Sequence, residues 1–196
     1  MFKLGITGGI GSGKSTAAIF LKKLDTVIFN ADKEAKKHLK YTSSLQHKII
    51  TAFGEDVVEN NKLSIRKLAE VAFSNKMEQK ILNGLMWPEI FILVENEIKK
   101  YESKKYELFI LDAAMIFEGN FEHMLDSILL ISSKKEIRIK RALKRKNLHL
   151  EQIQNRMSLQ MPEKEKREKA DYIIDNNGTL DIFHKKLQEY YKSLSI

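Results

Sequence analysis

Cysteine is absent from the 196 residues. That excludes a disulfide framework, a cysteine metal site and a thiol nucleophile, and it fits a cytoplasmic setting. Long apolar runs are also missing. None approaches the length that spans a bilayer, so no membrane partner is expected. The N-terminus runs straight into a strand pattern, so no secretory leader is expected either. There is one tryptophan, Trp87, and its apolar surroundings assign it to core packing. Internal repeats and low-complexity linkers are not found. A chain of this length with 43% hydrophobic residues suffices for one domain with a full core.

Acidic residues are scarce in one place only. The net charge is +8, and residues 134–170 carry thirteen Lys or Arg against five Glu. The remaining 159 residues are neutral. An excess of this kind suits a nucleic-acid binder. Its confinement to one segment, with Arg138, Arg141 and Arg145 spaced along one helical face, argues instead for a basic flap over an anionic small molecule.

Four of the nine glycines sit in one stretch. Gly8-Gly9-Ile10-Gly11-Ser12-Gly13-Lys14-Ser15-Thr16 fits the phosphate-loop pattern G-x-x-x-x-G-K-[ST]. A short apolar strand precedes it, and helical periodicity from Thr16 to Leu24 follows, which is the context the pattern requires. Glycines let backbone N–H groups turn inward onto phosphate oxygens, and the helix that starts there adds its positive end. Lys14 is placed to reach the β- and γ-phosphates of a nucleoside triphosphate, and the Ser15 hydroxyl to ligate Mg²⁺.

A second strand pattern, Thr26 to Phe29, runs into Asn30-Ala31-Asp32. Two readings of Asp32 stand side by side: a carboxylate facing the ligand edge of the sheet, or the N-cap of a helix over 33–39. Residues 33–105 read as a helical insertion that covers a second substrate. Gly54 to Lys62 is a polar turn within it, and Met77 to Tyr101 a long helix that Pro88 kinks or breaks. Leu108 to Asp112 is a third strand whose terminal acid suits the water shell of magnesium. Ser127–Ile131 and Tyr172–Ile174 supply the fourth and fifth strands, and Leu180–Leu194 a closing helix. The expected fold is α/β: three layers, α/β/α, around a mostly parallel five-stranded sheet, as one domain over 1–196. Its core is 1–32, 106–133 and 171–196, with an acceptor-binding region at 33–105 and a basic lid at 134–170.

The chain resembles the dephospho-coenzyme A kinases. The likeness rests on the run from Ile6 to Thr16, on Asn30-Ala31-Asp32 against that family's Asp-Ala-Asp, and on Asp112 to Glu118 against its D-x-P-L-L-F-E. Arg141 and Arg145 match the family's lid arginines. Arg156, Gln160-Met161-Pro162, Lys166 and Ala170-Asp171 match a later run, and Asp175-Asn176-Asn177-Gly178 resembles its D-N-x-G. Three positions depart. The family's His-Pro-x-x-Arg is Trp87-Pro88-Glu89-Ile90-Phe91 here, its first acid is Asn30, and its proline is Ala114.

The resemblance implies transfer of the ATP γ-phosphoryl group to the ribose 3′-hydroxyl of dephospho-coenzyme A. Catalysis would fall to Lys14, Asp32 as base and Arg141. ATP would be held by residues 8–16 with Arg138, Arg145, Asn176 and Gly178, and Mg²⁺ by Ser15 and Asp112. The partners implied are two small-molecule substrates, with no nucleic acid. A nucleoside or nucleoside-monophosphate kinase is the alternative that shares these parts. A guanine-reading Asn-Lys-x-Asp is not found, since Asn61-Lys62-Leu63-Ser64 lacks the acid.

Overall fold

The structure is a computed structural model that describes residues 1–24, 26–104, 106–145 and 149–194. Its centre is β1 (Phe2–Thr7), flanked by β5 (Leu108–Asp112) and β6 (Ser127–Ser132). β2 (Val27–Asn30) and β7 (Tyr172–Asp175) lie outside them, giving the order β2-β5-β1-β6-β7. Every adjacent pair is parallel, so the sheet expected as mostly parallel is wholly so. The register sets the function. Ile6 pairs with Asp112, and Asn30 pairs with Asp112 from the other side. The strands therefore end level. The loop after β1, the acid closing β5 and the turn after β2 emerge at one edge, where ligands bind in open α/β sheets.

Strand alternation sorts the apolar side chains onto two faces. Leu4, Ile6, Leu108, Ile110, Leu129 and Ile131 pack against α1 (Lys14–Lys22) and α9 (Leu180–Ser193) through Ala17, Leu21, Phe183 and Leu187. Phe109, Leu111 and Ile128 face the insertion: α2 (Ala31–Tyr41), α3 (Ser43–Phe53), α4 (Ile65–Ala72) and α5 (Lys76–Glu102). Each such side chain, fully removed from water, contributes about 1.5–3 kcal/mol.

Two expectations for the insertion are corrected. The stretch read as a polar turn holds a one-turn 3₁₀ helix, Gly54–Val57, and a hairpin, β3 (Val58–Glu59) with β4 (Lys62–Leu63). Asn60 and Asn61 both take positive φ, the pair a tight hairpin turn demands. The long helix neither stops nor breaks at Pro88; α5 runs for 27 residues through it. Pro88 and Gly84, whose carbonyl lies one turn back, are both exposed, so solvent can serve the carbonyl that the proline ring leaves without a donor. Among the described residues no helix is long and apolar enough to cross a membrane.

The basic region forms α6 (Lys135–Lys144), α7 (Leu150–Ser158) and α8 (Glu163–Lys169). Part of its charge is turned inward. Lys166 is 1% exposed, and its Nζ lies 2.9 Å from Glu118 Oε1 and donates to the Ala114 carbonyl at 2.9 Å. This bond fastens α8 to the loop after β5. Lys166→Ala leaves a nearly buried carboxylate uncompensated, which costs about 3–5 kcal/mol. A thermal melt should show the midpoint lowered by roughly 6 °C or more. Lys164→Ala, at an exposed position two residues away, should leave it nearly unmoved.

Candidate active site

The loop between β1 and α1 owes its shape to glycine at close quarters. Gly11 has φ +78°, and a Cβ there would collide with the backbone carbonyl of Arg138. Gly13 sits at the N-cap of α1 and offers no side chain. The first-turn amides of that helix stay free for a ligand's oxygens. Ser12 N–H closes the turn on the Gly9 carbonyl at 3.0 Å.

Around this loop lies a cleft of about 340 Å³ lined by residues 8–15, Asn30, Asp32, Lys33, Lys36, Ala114 and Arg145. Lys14 crosses its floor, only 9% exposed. Its Nζ is bonded to Asp112 Oδ1 and lies 3.4 Å from Asp32 Oδ2. Asp112 is 1% exposed, and its other oxygen accepts from Asn30 Nδ2. A buried carboxylate with both oxygens engaged is held in one orientation. Asn30 does more than this. Its Oδ1 accepts from the Lys33 amide at 2.8 Å and makes Asn30 the N-cap of α2. The cap reading of Asp32 is thereby overturned, because the helix starts two residues earlier than its spacing implied. Asp32 lies in the first turn, its carboxylate more than half exposed and facing the cleft.

Arg138 and Arg141 of α6 and Arg145 at its C-cap take three different places. Arg138, 8% exposed, lies behind the phosphate loop. Its Nε donates to the Ile10 carbonyl at 3.0 Å and its Nη1 to Glu163 Oε2 at 2.9 Å. Burial pulls its pKa below the usual guanidinium value, and the Glu163 carboxylate opposes that pull. Arg141 reaches the loop's C-terminal part, donating to the Asn176 carbonyl at 3.0 Å and to the Ser12 carbonyl at 3.4 Å. Arg145 alone of the three lines the cleft.

Asn176 sits beneath the loop and donates to Ser12 O at 2.8 Å, while Gly178 lies outside the cleft lining. Of the expected site residues, Gly8 to Ser15, Asp32 and Arg145 meet in the cleft. Asp112 touches it through Lys14. Thr16, Arg138, Arg141, Asn176 and Gly178 do not line it.

Four residues of the site were missed by sequence reasoning. Lys33 and Lys36 line the cleft from α2; Lys36, at i+4 from Asp32, could have been found from that spacing, whereas Lys33, at i+1, could not. Gln160 accepts from the Ile10 amide at 3.4 Å, and Glu163 braces Arg138. No local pattern announces either contact.

The donor set suits a hard cation bound chiefly through a nucleotide's own phosphates. A hydroxyl, Ser15, and two carboxylates, Asp32 and Asp112, stand near the loop. Among the described residues no cluster of three or more His, Cys, Asp or Glu could enclose a metal by itself.

Comparison with known proteins agrees with this geometry. The family profile described as dephospho-CoA kinase matches residues 2–181. A dephospho-CoA kinase of Lactobacillus johnsonii is 32% identical over 192 residues, covering 97% of each chain. A solved structure from Thermus thermophilus superposes with a TM-score of 0.81 at 30% identity, over 98% of this chain and 97% of that one. The dephospho-CoA kinase of Campylobacter jejuni does so with a TM-score of 0.69 at 27% identity, over 98% and 96%. With a profile that spans nearly the whole length and a relative 32% identical over 97% of the chain, the chain belongs to the dephospho-CoA kinase family.

Proposed function

We propose that this chain transfers the γ-phosphoryl group of ATP to the ribose 3′-hydroxyl of dephospho-coenzyme A. The observation that carries the reading is the placing of Lys14 and Asp32 in one cleft, a cation for the moving phosphoryl group beside a solvent-facing carboxylate for the acceptor. Phosphoryl transfer asks the protein for position and charge rather than covalent chemistry. The loop amides and Lys14 hold the β- and γ-phosphates. Asp32 accepts the proton of the attacking hydroxyl. Ser15 and Asp112 would hold Mg²⁺, which when bound neutralises charge on the phosphates. We place the enzyme in the cytoplasm on the absence of cysteine and the small soluble substrates of its family.

Arg145, at the C-cap of α6, is the arginine that serves the transferring group, because it lines the cleft; Arg141, bonded to Ser12 and Asn176, positions the loop. Arg145→Lys keeps the charge and loses the fork, and turnover should fall roughly 10²-fold. Arg141→Lys should raise the Michaelis constant for ATP more than it lowers turnover. Saturation kinetics of both variants check the assignment, and the opposite ranking overturns it. The inward or paired setting of Arg138, Lys166 and Arg167 also supports a lid over a nucleotide rather than a nucleic-acid surface.

The test of the reaction is an ADP-release assay with dephospho-coenzyme A against AMP, dTMP and shikimate, with the product's phosphate position read by ³¹P NMR. A preference for AMP or dTMP would favour the nucleoside-monophosphate kinase reading.

A further inference from the structure

We infer that Lys33 and Lys36 of α2 form the subsite for the acceptor's diphosphate. The inference rests on the acceptor reading above and goes beyond it by naming the group recognised and the residues that recognise it.

Both lysines line the catalytic cleft beside Asp32. No carboxylate among the described residues pairs with either. On the same helix Lys37 is paired with Glu34, and across from it Lys48 is paired with Glu89. Two features of α2 make their placement unfavourable to the helix itself. Lys33 lies in the first turn, where the helix dipole opposes cations. Lys33 and Lys36 also stand three apart, so like charges are neighbours on one face. A pair of cations held against both effects at the rim of a phosphate-transfer cleft has the properties of an anion subsite.

The geometry fits a nucleotide whose 3′-hydroxyl faces Asp32. Lys36 lies one turn further along α2, about 6 Å along the axis. A displacement of that size can separate the 3′-hydroxyl of a ribose from the diphosphate that dephospho-coenzyme A carries on its 5′ side. α2 is held firmly enough to serve. His38 Nε2 lies 3.1 Å from Glu89 Oε2 of α5, and Leu39 is buried in the core.

α5 does not supply the charge from the positions where resembling kinases carry His and Arg. Phe91 stacks on Phe121 with ring centroids 4.4 Å apart, and Trp87 packs against the core. Positions 87 and 91 of α5 therefore offer no cation, and α2 supplies two that line the cleft.

The experiment is steady-state kinetics of the full chain with dephospho-coenzyme A and ATP varied in turn. Lys33→Gln/Lys36→Gln should raise the Michaelis constant for dephospho-coenzyme A about tenfold or more and leave that for ATP within twofold. Lys36→Arg should keep most of the wild-type value, and Lys37→Gln should match wild type. In wild type, added salt should weaken the acceptor more than ATP, and the double variant should lose that difference.

The proposal is overturned if the acceptor constant does not move, if the constant for ATP moves instead, or if Lys37→Gln has the same effect. Absence of any 3′-phosphorylated product from wild type would sink the acceptor reading separately. Calorimetric titration of dephospho-coenzyme A into wild type and the double variant then decides the subsite, and equal affinities overturn it.

Discussion

Lys14→Ala should slow turnover by about 10³-fold or more, the scale for losing preorganised positive charge on a transferring phosphoryl group. The structure adds a second effect. Lys14 neutralises Asp112, a carboxylate with almost no access to water. Among the described residues its removal leaves that charge with only the Asn30 amide for a partner, so the melting temperature should fall too. The two effects separate in the double variant Lys14→Ala/Asp112→Asn. Taking away the stranded charge should restore much of the stability and none of the turnover. Turnover numbers at saturating substrates and thermal melts of the three proteins are the measurements. Near-wild-type turnover in Lys14→Ala would remove the phosphate-site assignment.

Asp32→Asn should cost about 10²–10⁴-fold in turnover, the range for a positioned general base. The substitution is a clean one here because Asn30, not Asp32, caps α2. The new amide keeps the shape, and the expected structural costs are one acid fewer in the first turn of the helix and the loss of an ion pair with Lys14 that is open to solvent on its Asp32 side, both small. The melting temperature and the Michaelis constant for ATP should therefore hardly change. Full turnover in the variant would mean that the acceptor hydroxyl needs no base at this position.

The two residues show which parts of the site a sequence exposes. Lys14 belongs to a pattern whose constraints are local: glycines at fixed spacing between a strand and a helix. Asp112 and Asp32 were legible because each follows an apolar strand, and parallel strands in register bring such ends to one edge. The roles of Arg141 and Arg145 were not separable in this way. They share a helix face one turn apart. What distinguishes them is that Asn176 and the Ser12 carbonyl take hold of the first, and both contacts arise from distant segments. The hairpin at Val58 to Leu63 was illegible because two-residue strands carry no alternation to detect. Of the kink or break read at Pro88, the break does not occur: the helix runs through it with the i−4 carbonyl on the exposed side.

The guanidinium of Arg138 behind the phosphate loop has a consequence for the chain's history. A side chain at Gly9 would occupy the space where that guanidinium lies. Gly9 is therefore tied less to the nucleotide than to a residue 129 positions away, and the two are not free to vary independently. Shortening residue 138 would open the space for a side chain at position 9, whereas a side chain there with Arg138 in place must push the guanidinium off the Ile10 carbonyl and Glu163.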